Sequence, residues 1–151
     1  MVVLEASQSV VLPAKAVERV FIGMGWTDAG GKTIDLDCSV VGYTANGERD
    51  AQSTVWYGQL RNGAHKSKST GSSIVHTGDV LKGQAAGYED AERIYVWLSE
   101  LPDNLSTIAF AADVFTDGVT FSELSTAYVR LCSAHTGQEL ASLSPAAESL
   151  Y

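Results

Sequence analysis
Apolar residues in this chain come in short runs that alternate with polar ones, and turn residues interrupt each run before a helical period can establish itself. In Thr107-Ile108-Ala109-Phe110-Ala111-Ala112-Asp113-Val114-Phe115, the side chains of Ile108, Phe110, Ala112 and Val114 share one face and Asp113 takes the other. Arg93 to Leu98 likewise gathers Ile94, Val96 and Leu98, in a segment of β-branched and aromatic residues that suits a strand. Glu18 to Trp26 and Asp35 to Tyr43 read as two further strands, separated by a turn at Asp28-Ala29-Gly30-Gly31-Lys32. Asn46-Gly47 is a hairpin signal because both residues tolerate positive φ, and Thr54 to Tyr57 is its expected partner strand. Ala127 to Cys132 and Gln138 to Leu143 form a last hairpin around His135-Thr136-Gly137. Thr120 to Leu124 has room for about one helical turn, capped by Thr120 or Ser122. Val2 to Leu12 reads as an edge strand or a pair, closed by Pro13.

Roughly eight to ten short strands without a long helical period imply an all-β chain. The expected architecture is a β-sandwich of two antiparallel sheets with one or two short helical turns. With 151 residues, 45% of them hydrophobic, the chain can bury one core without disulfide or metal staples. Residues 1–144 are expected to form that domain, 145–151 a C-terminal tail, and Arg61 to Ser73, rich in Gly, Ser, Lys and Asn, a surface loop.

Eighteen acids against 10 bases leave a net charge of -8, which repels a phosphate backbone and disfavours nucleic acid as a partner. Cys38 and Cys132 lie on separate strands without the spacing of a zinc or redox motif. The first residues lack a basic leader, and no apolar stretch reaches the roughly 18 residues of a membrane span. The expectation is a cytoplasmic protein with reduced thiols.

The acids are clustered. The strand that ends at Val75 gives way to a loop with Gly78, Gly83 and Gly87, which closes on Glu89, Asp90 and Glu92. Far upstream, Asp35-Leu36-Asp37-Cys38-Ser39 alternates so that Asp35 and Asp37 share a face about 7 Å apart. A hard cation requires six to eight oxygens, which Asp35, Asp37, Asp79, Asp90 and Glu92, with a loop carbonyl such as that of Gly83, can supply. Calcium is the expected ion, held where the two segments meet. An EF-hand is excluded, because counting from Asp35 puts Val40 where its glycine belongs and Asn46 where its glutamate belongs.

The order of motifs resembles the TerD family of tellurium-resistance and general stress proteins. It runs through Gly23-Met24-Gly25-Trp26, Asp35-Leu36-Asp37-Cys38-Ser39, Trp56-Tyr57-Gly58-Gln59-Leu60-Arg61 and His76-Thr77-Gly78-Asp79. It continues through Glu92-Arg93-Ile94, Phe121-Ser122-Glu123 and Tyr128-Val129-Arg130 to Thr136-Gly137-Gln138-Glu139-Leu140. The resemblance implies a β-sandwich that binds calcium through acidic loops and serves as a binding or scaffolding module for protein partners, without catalysis. Asp90 and Glu92 match the terminal acids of the family's loop, with Glu89 as a substitute. The loop departs from the family pattern at Val80, Lys82, Gln84 and Ala85-Ala86. A metal-free interaction module of the same fold is therefore the alternative. A cysteine hydrolase built on Cys38 and His76 lacks a nucleophile elbow or an orienting pattern, so Cys38 reads as a small core residue and His76 as a strand-end residue bonded to backbone.

Overall fold
The computed structural model describes residues 2–5, 7–14, 18–28, 30–63, 71–83 and 89–144. Among the described residues nine strands follow one another as β1 (Val2–Val3), β2 (Arg19–Thr27), β3 (Leu36–Thr44), β4 (Arg49–Val55) and β5 (Ile74–His76), then β6 (Glu92–Trp97), β7 (Leu105–Val114), β8 (Thr126–Ser133) and β9 (Glu139–Leu143). They form a six-stranded sheet in the order β1-β9-β8-β2-β6-β5 and a three-stranded sheet in the order β4-β3-β7. The β-sandwich expected from alternation is thus present, with two 3-10 turns, Leu98–Glu100 and Phe121–Glu123. The second opens as the sequence suggests, with the Thr120 N–H donating to the Glu123 carboxylate at 2.9 Å.

Two details differ from expectation. The β1–β9 pair is parallel, so the larger sheet is not wholly antiparallel. The hairpin after Asn46-Gly47 begins at Arg49, earlier than the expected Thr54, because β4 is an edge strand whose polar residues through Gln52 carry no apolar alternation. Gly47 does take the expected positive φ, 77°. The expected tail 145–151 and residues 64–70 of the Arg61–Ser73 loop lie outside the described residues. The base of that loop is tied by Asn62, whose Oδ1 accepts the N–H groups of Ser73 and Ile74 at 2.9 and 2.8 Å.

The core lies between the sheets. Val20, Ile22, Met24 and Trp26 of β2 face Leu36, Cys38 and Val40 of β3, with Ile94 and Val96 of β6 beside them. Each large side chain so buried stabilises the fold by about 1.5–3 kcal/mol. Trp26 also donates its indole N–H to the Ile34 carbonyl at 2.8 Å, which fixes the entry into β3. Because β4 packs on β5 and β3 on β6, the smaller sheet covers only one side of the larger. The start of β3 and the loop after β5 meet at one end of this sandwich.

Candidate metal centre
At that end one carboxylate oxygen from each of Asp35, Asp37 and Asp79 lies within 4.8 Å of the others. The placement follows from local sequence. Asp35 directly precedes β3, held there by donation of its N–H to Thr116 Oγ1 at 2.8 Å. Asp37 is nearly buried and pairs in register with Asp113 of β7. Asp79 is exposed and follows Gly78, whose φ of 116° is accessible to glycine. Burial, then the charges of Asp79, Glu92 and Asp113, push the Asp35 carboxyl up. Burial, then Asp35, Glu92, Asp113 and Asp79, push Asp37 up to about 6. Asp35 Oδ1 is buried without a hydrogen-bond partner among the described residues. Crowded carboxylates and an unsatisfied buried oxygen are what a bound hard cation relieves.

Glu92 lies behind this cluster, fully buried, as Met24's cross-strand partner on β6. Its Oε1 accepts the Val80 N–H at 3.0 Å and its Oε2 the Cys38 N–H at 3.2 Å. Burial pushes this carboxyl up, but hydrogen bonds from His76, Cys38 and Val80 outweigh it and hold the group below the usual range. Glu92 therefore supports the site from within, tying the loop that carries Asp79 to the strand that carries Asp37.

His76 and Cys38 complete a second buried group with Glu92. The Gly78 N–H donates to His76 Nδ1 at 2.9 Å, which leaves Nε2 carrying the proton of the neutral ring. That Nε2 lies 3.2 Å from the Cys38 carbonyl, 3.4 Å from Cys38 Sγ and 3.5 Å from Glu92 Oε2. Burial, reinforced by Glu92, pushes the Cys38 thiol far above its ordinary value. The arrangement gives a protonated thiol and a ring nitrogen that already carries its proton. Cys38 and Cys132 are both free and buried.

The remaining loop acids are placed differently. Asp90 turns onto the outer face of the larger sheet, where it accepts from Arg93 Nε at 2.6 Å and from Arg130 Nε and Nη2 at 2.7 and 2.9 Å. Burial raises the Asp90 carboxyl, and the two arginines more than reverse this. Glu89 is exposed. Gly83 is held against Asp28, its N–H donating to Asp28 Oδ1 at 3.1 Å, an oxygen that also accepts the Ile34 N–H. Asp113 is a neighbour of the acids and Asp28 ties Gly83 to Ile34, and the sequence motifs single out neither. The cross-strand register that sets Asp113 against Asp37 is a long-range pairing, and only the Asp113 position on the polar face of its strand hints at it.

A cleft of about 350 Å³ adjoins the acids, with Asp37, Asp113, Arg49, Trp56, Tyr57 and Phe115 in its lining. Trp56, Tyr57 and Phe115 are 41%, 38% and 56% exposed and pack edge to face on one another.

A two-sheet β-sandwich with an acid cluster at its loop end places the chain in the class of all-β sandwich domains, and no helix among the described residues is long and apolar enough to cross a membrane. The family model for the TerD domain matches residues 1–149, and the chain belongs to that family. It is 34% identical over 131 residues to general stress protein 16U of Bacillus subtilis, covering 82% of this chain and 63% of that protein. To the tellurium resistance protein TerZ of Serratia marcescens it is 32% identical over 154 residues, covering 93% of this chain and 73% of the relative. The chain thus spans roughly two thirds of the length of these relatives. A crystal structure of a homologue of telluride resistance protein from Streptomyces coelicolor A3(2) shares the fold, with a TM-score of 0.62 over 83% of this chain and 70% of that one at 18% identity.

Proposed function
We propose that Asp35, Asp37 and Asp79 hold a calcium ion and that the domain acts in a stress response as a calcium-dependent interaction module without catalysis of its own. The convergence of three carboxylates, together with a buried Asp35 Oδ1 that has no hydrogen-bond partner among the described residues, carries this reading. All donors are oxygens, as calcium prefers, and six to eight ligands leave room for water or loop carbonyls. Bound calcium neutralises local charge and fixes the loop that carries Asp79 against β3. The exposed aromatic side chains of the adjoining cleft then offer a protein partner an ordered surface. A cytoplasmic setting belongs to the same proposal. Two features support the absence of catalysis: the raised Cys38 thiol, and the His76 tautomer that Gly78 imposes.

The test is calorimetric titration of chelator-stripped protein with calcium, alongside the double variant Asp35→Asn, Asp37→Asn. Saturable binding that the variant loses is expected, together with calcium protection of the 78–92 segment from proteolysis. Absence of binding up to millimolar calcium would refute the metal reading and leave the metal-free module.

A further inference from the structure
The two sheets are unequal, and the difference is confined to one side. With β4 over β5 and β3 over β6, strand β7 comes to lie over β2, which leaves β8, β9 and β1 without a covering strand among the described residues. Their inward positions are nevertheless apolar. Register with β2 turns Ala127, Val129 and Leu131 of β8 inward, and register with β8 and β9 does the same for Ala141, Leu143 and Val2. Val2 and Leu143 remain 40% and 38% exposed. Between β7 and this face runs a groove of about 320 Å³, whose lining among the described residues is apolar and includes Leu12, Ile108, Phe110, Val129 and Leu131.

One wall of the groove is a strand edge that no strand among the described residues covers. Three of the four sheet edges are short or covered: β1 has two residues, β5 is bridged through Arg61, and β4 accepts the Gly63 N–H at the Gln52 carbonyl. The fourth, β7, is ten residues long and, among the described residues, pairs with β3 alone. The Phe115 N–H donates to the Asp35 carbonyl, so antiparallel alternation turns the backbone groups of odd-numbered residues toward β3. Those of Ile108, Phe110, Ala112 and Val114 point to the free edge. The residues with unpaired backbone groups are the same ones whose side chains face the groove and the core.

We propose that this edge takes up an extended, amphipathic polypeptide segment from outside residues 1–151 as a fourth strand beside β7, its alternate apolar side chains filling the groove. Main-chain pairing decides against a lipid or other apolar ligand, which would fill the groove and leave the edge unpaired. Symmetry decides against a second copy. Two-fold pairing of β7 with β7 sets both larger sheets on the same side of the joined sheet, where the β8-β9-β1 overhang of each would occupy the place of the other's β2 and β6. Charge sets the partner's outer face. Asp113 stands on the outer face of β7, Asp117 follows just beyond it, and the chain carries -8, so the segment's outward residues are basic.

The test is amide hydrogen exchange across β7 with a peptide of about ten residues that alternates valine with lysine, against a permuted peptide with its valines contiguous. The alternating peptide should slow exchange at Ile108, Phe110, Ala112 and Val114 by at least about tenfold and leave the odd-numbered amides unchanged. Ala112→Pro, which removes an edge N–H without breaking the β3 ladder, should abolish the effect. Should that variant not fold, the permuted peptide supplies the same discrimination on the unaltered chain. The proposal is overturned by absence of slowing at millimolar peptide or by equal slowing with the permuted peptide. Slowing on raising protein concentration alone would assign the edge to a second copy, and slowing by a fatty acid would assign the groove to an apolar ligand; either overturns it as well.

Discussion

Replacing Asp37 with asparagine should stabilise the calcium-free protein, the reverse of the usual effect of altering a nearly buried residue. The Asp37 carboxyl is pushed from 3.8 to about 6 by burial and by four neighbouring acids. At about 1.4 kcal/mol per decade, holding it ionised at neutral pH costs the fold at most roughly 3 kcal/mol. Water at the open side of the cluster screens this to about 1–1.5 kcal/mol. No hydrogen bond to its carboxylate is formed among the described residues, so the substitution forfeits little. Calcium-free Asp37→Asn should therefore melt about 3–5 °C higher at pH 7. The sign with pH follows from linkage: the raised folded value means that protonation favours the fold. Wild-type protein should gain stability as pH falls through about 6, reaching the full contribution below about 4, while the variant lacks this gain. Calorimetric melts in chelator between pH 4.5 and 7.5 test both statements. Calcium should then raise the melting temperature of wild type and not of the variant. A variant less stable than wild type in chelator, with an unchanged pH profile, would refute the electrostatic reasoning.

Two further substitutions separate support from ligation. Asp90→Ala strips the shared partner from Arg93 and Arg130 and should cost about 3 kcal/mol, equally with and without calcium, in denaturant titration. An effect confined to calcium-loaded protein would return Asp90 to the metal site. Glu92→Gln sets an amide N–H₂ where one oxygen accepts a backbone N–H, and should cost about 1–3 kcal/mol in stability while also weakening calcium binding. Unchanged affinity in that variant would show that the Asp79 loop does not depend on Glu92.

The fold is legible where alternation is strict and both faces have one neighbour each. Ile94 and Val96 are fully buried, as their period indicates, and Cys38 is a core residue. β4 begins earlier than the pattern suggests because an edge strand needs no apolar stripe, and the β1–β9 pairing depends on contacts between the two ends of the chain. Within the site, Asp35 and Asp37 share a face through local geometry and Asp79 joins them, whereas Asp90 shows the limit of pattern reading. Alternation would put Asp90 on the same face as Glu92. The Ala91 N–H instead bonds to the Met24 carbonyl opposite Glu92, and this irregular step before β6 sends Asp90 outward to Arg130, 40 residues away. Only the three-residue spacing from Asp90 to Arg93 carries a local signal of that ion pair.

The two acids on either side of that step act as rivets through opposite skins of the larger sheet. Glu92 is fastened inward to β3 and to Val80, Asp90 is clamped outward by arginines, and on the far bank Gly83 is moored to Asp28. Gly83 and Asp90 are thereby each tied down through partners other than Asp79. A change of sequence between these fastenings, where Ala85-Ala86 stand, therefore leaves in place the bonds that hold the loop of Asp79 to the strand of Asp37.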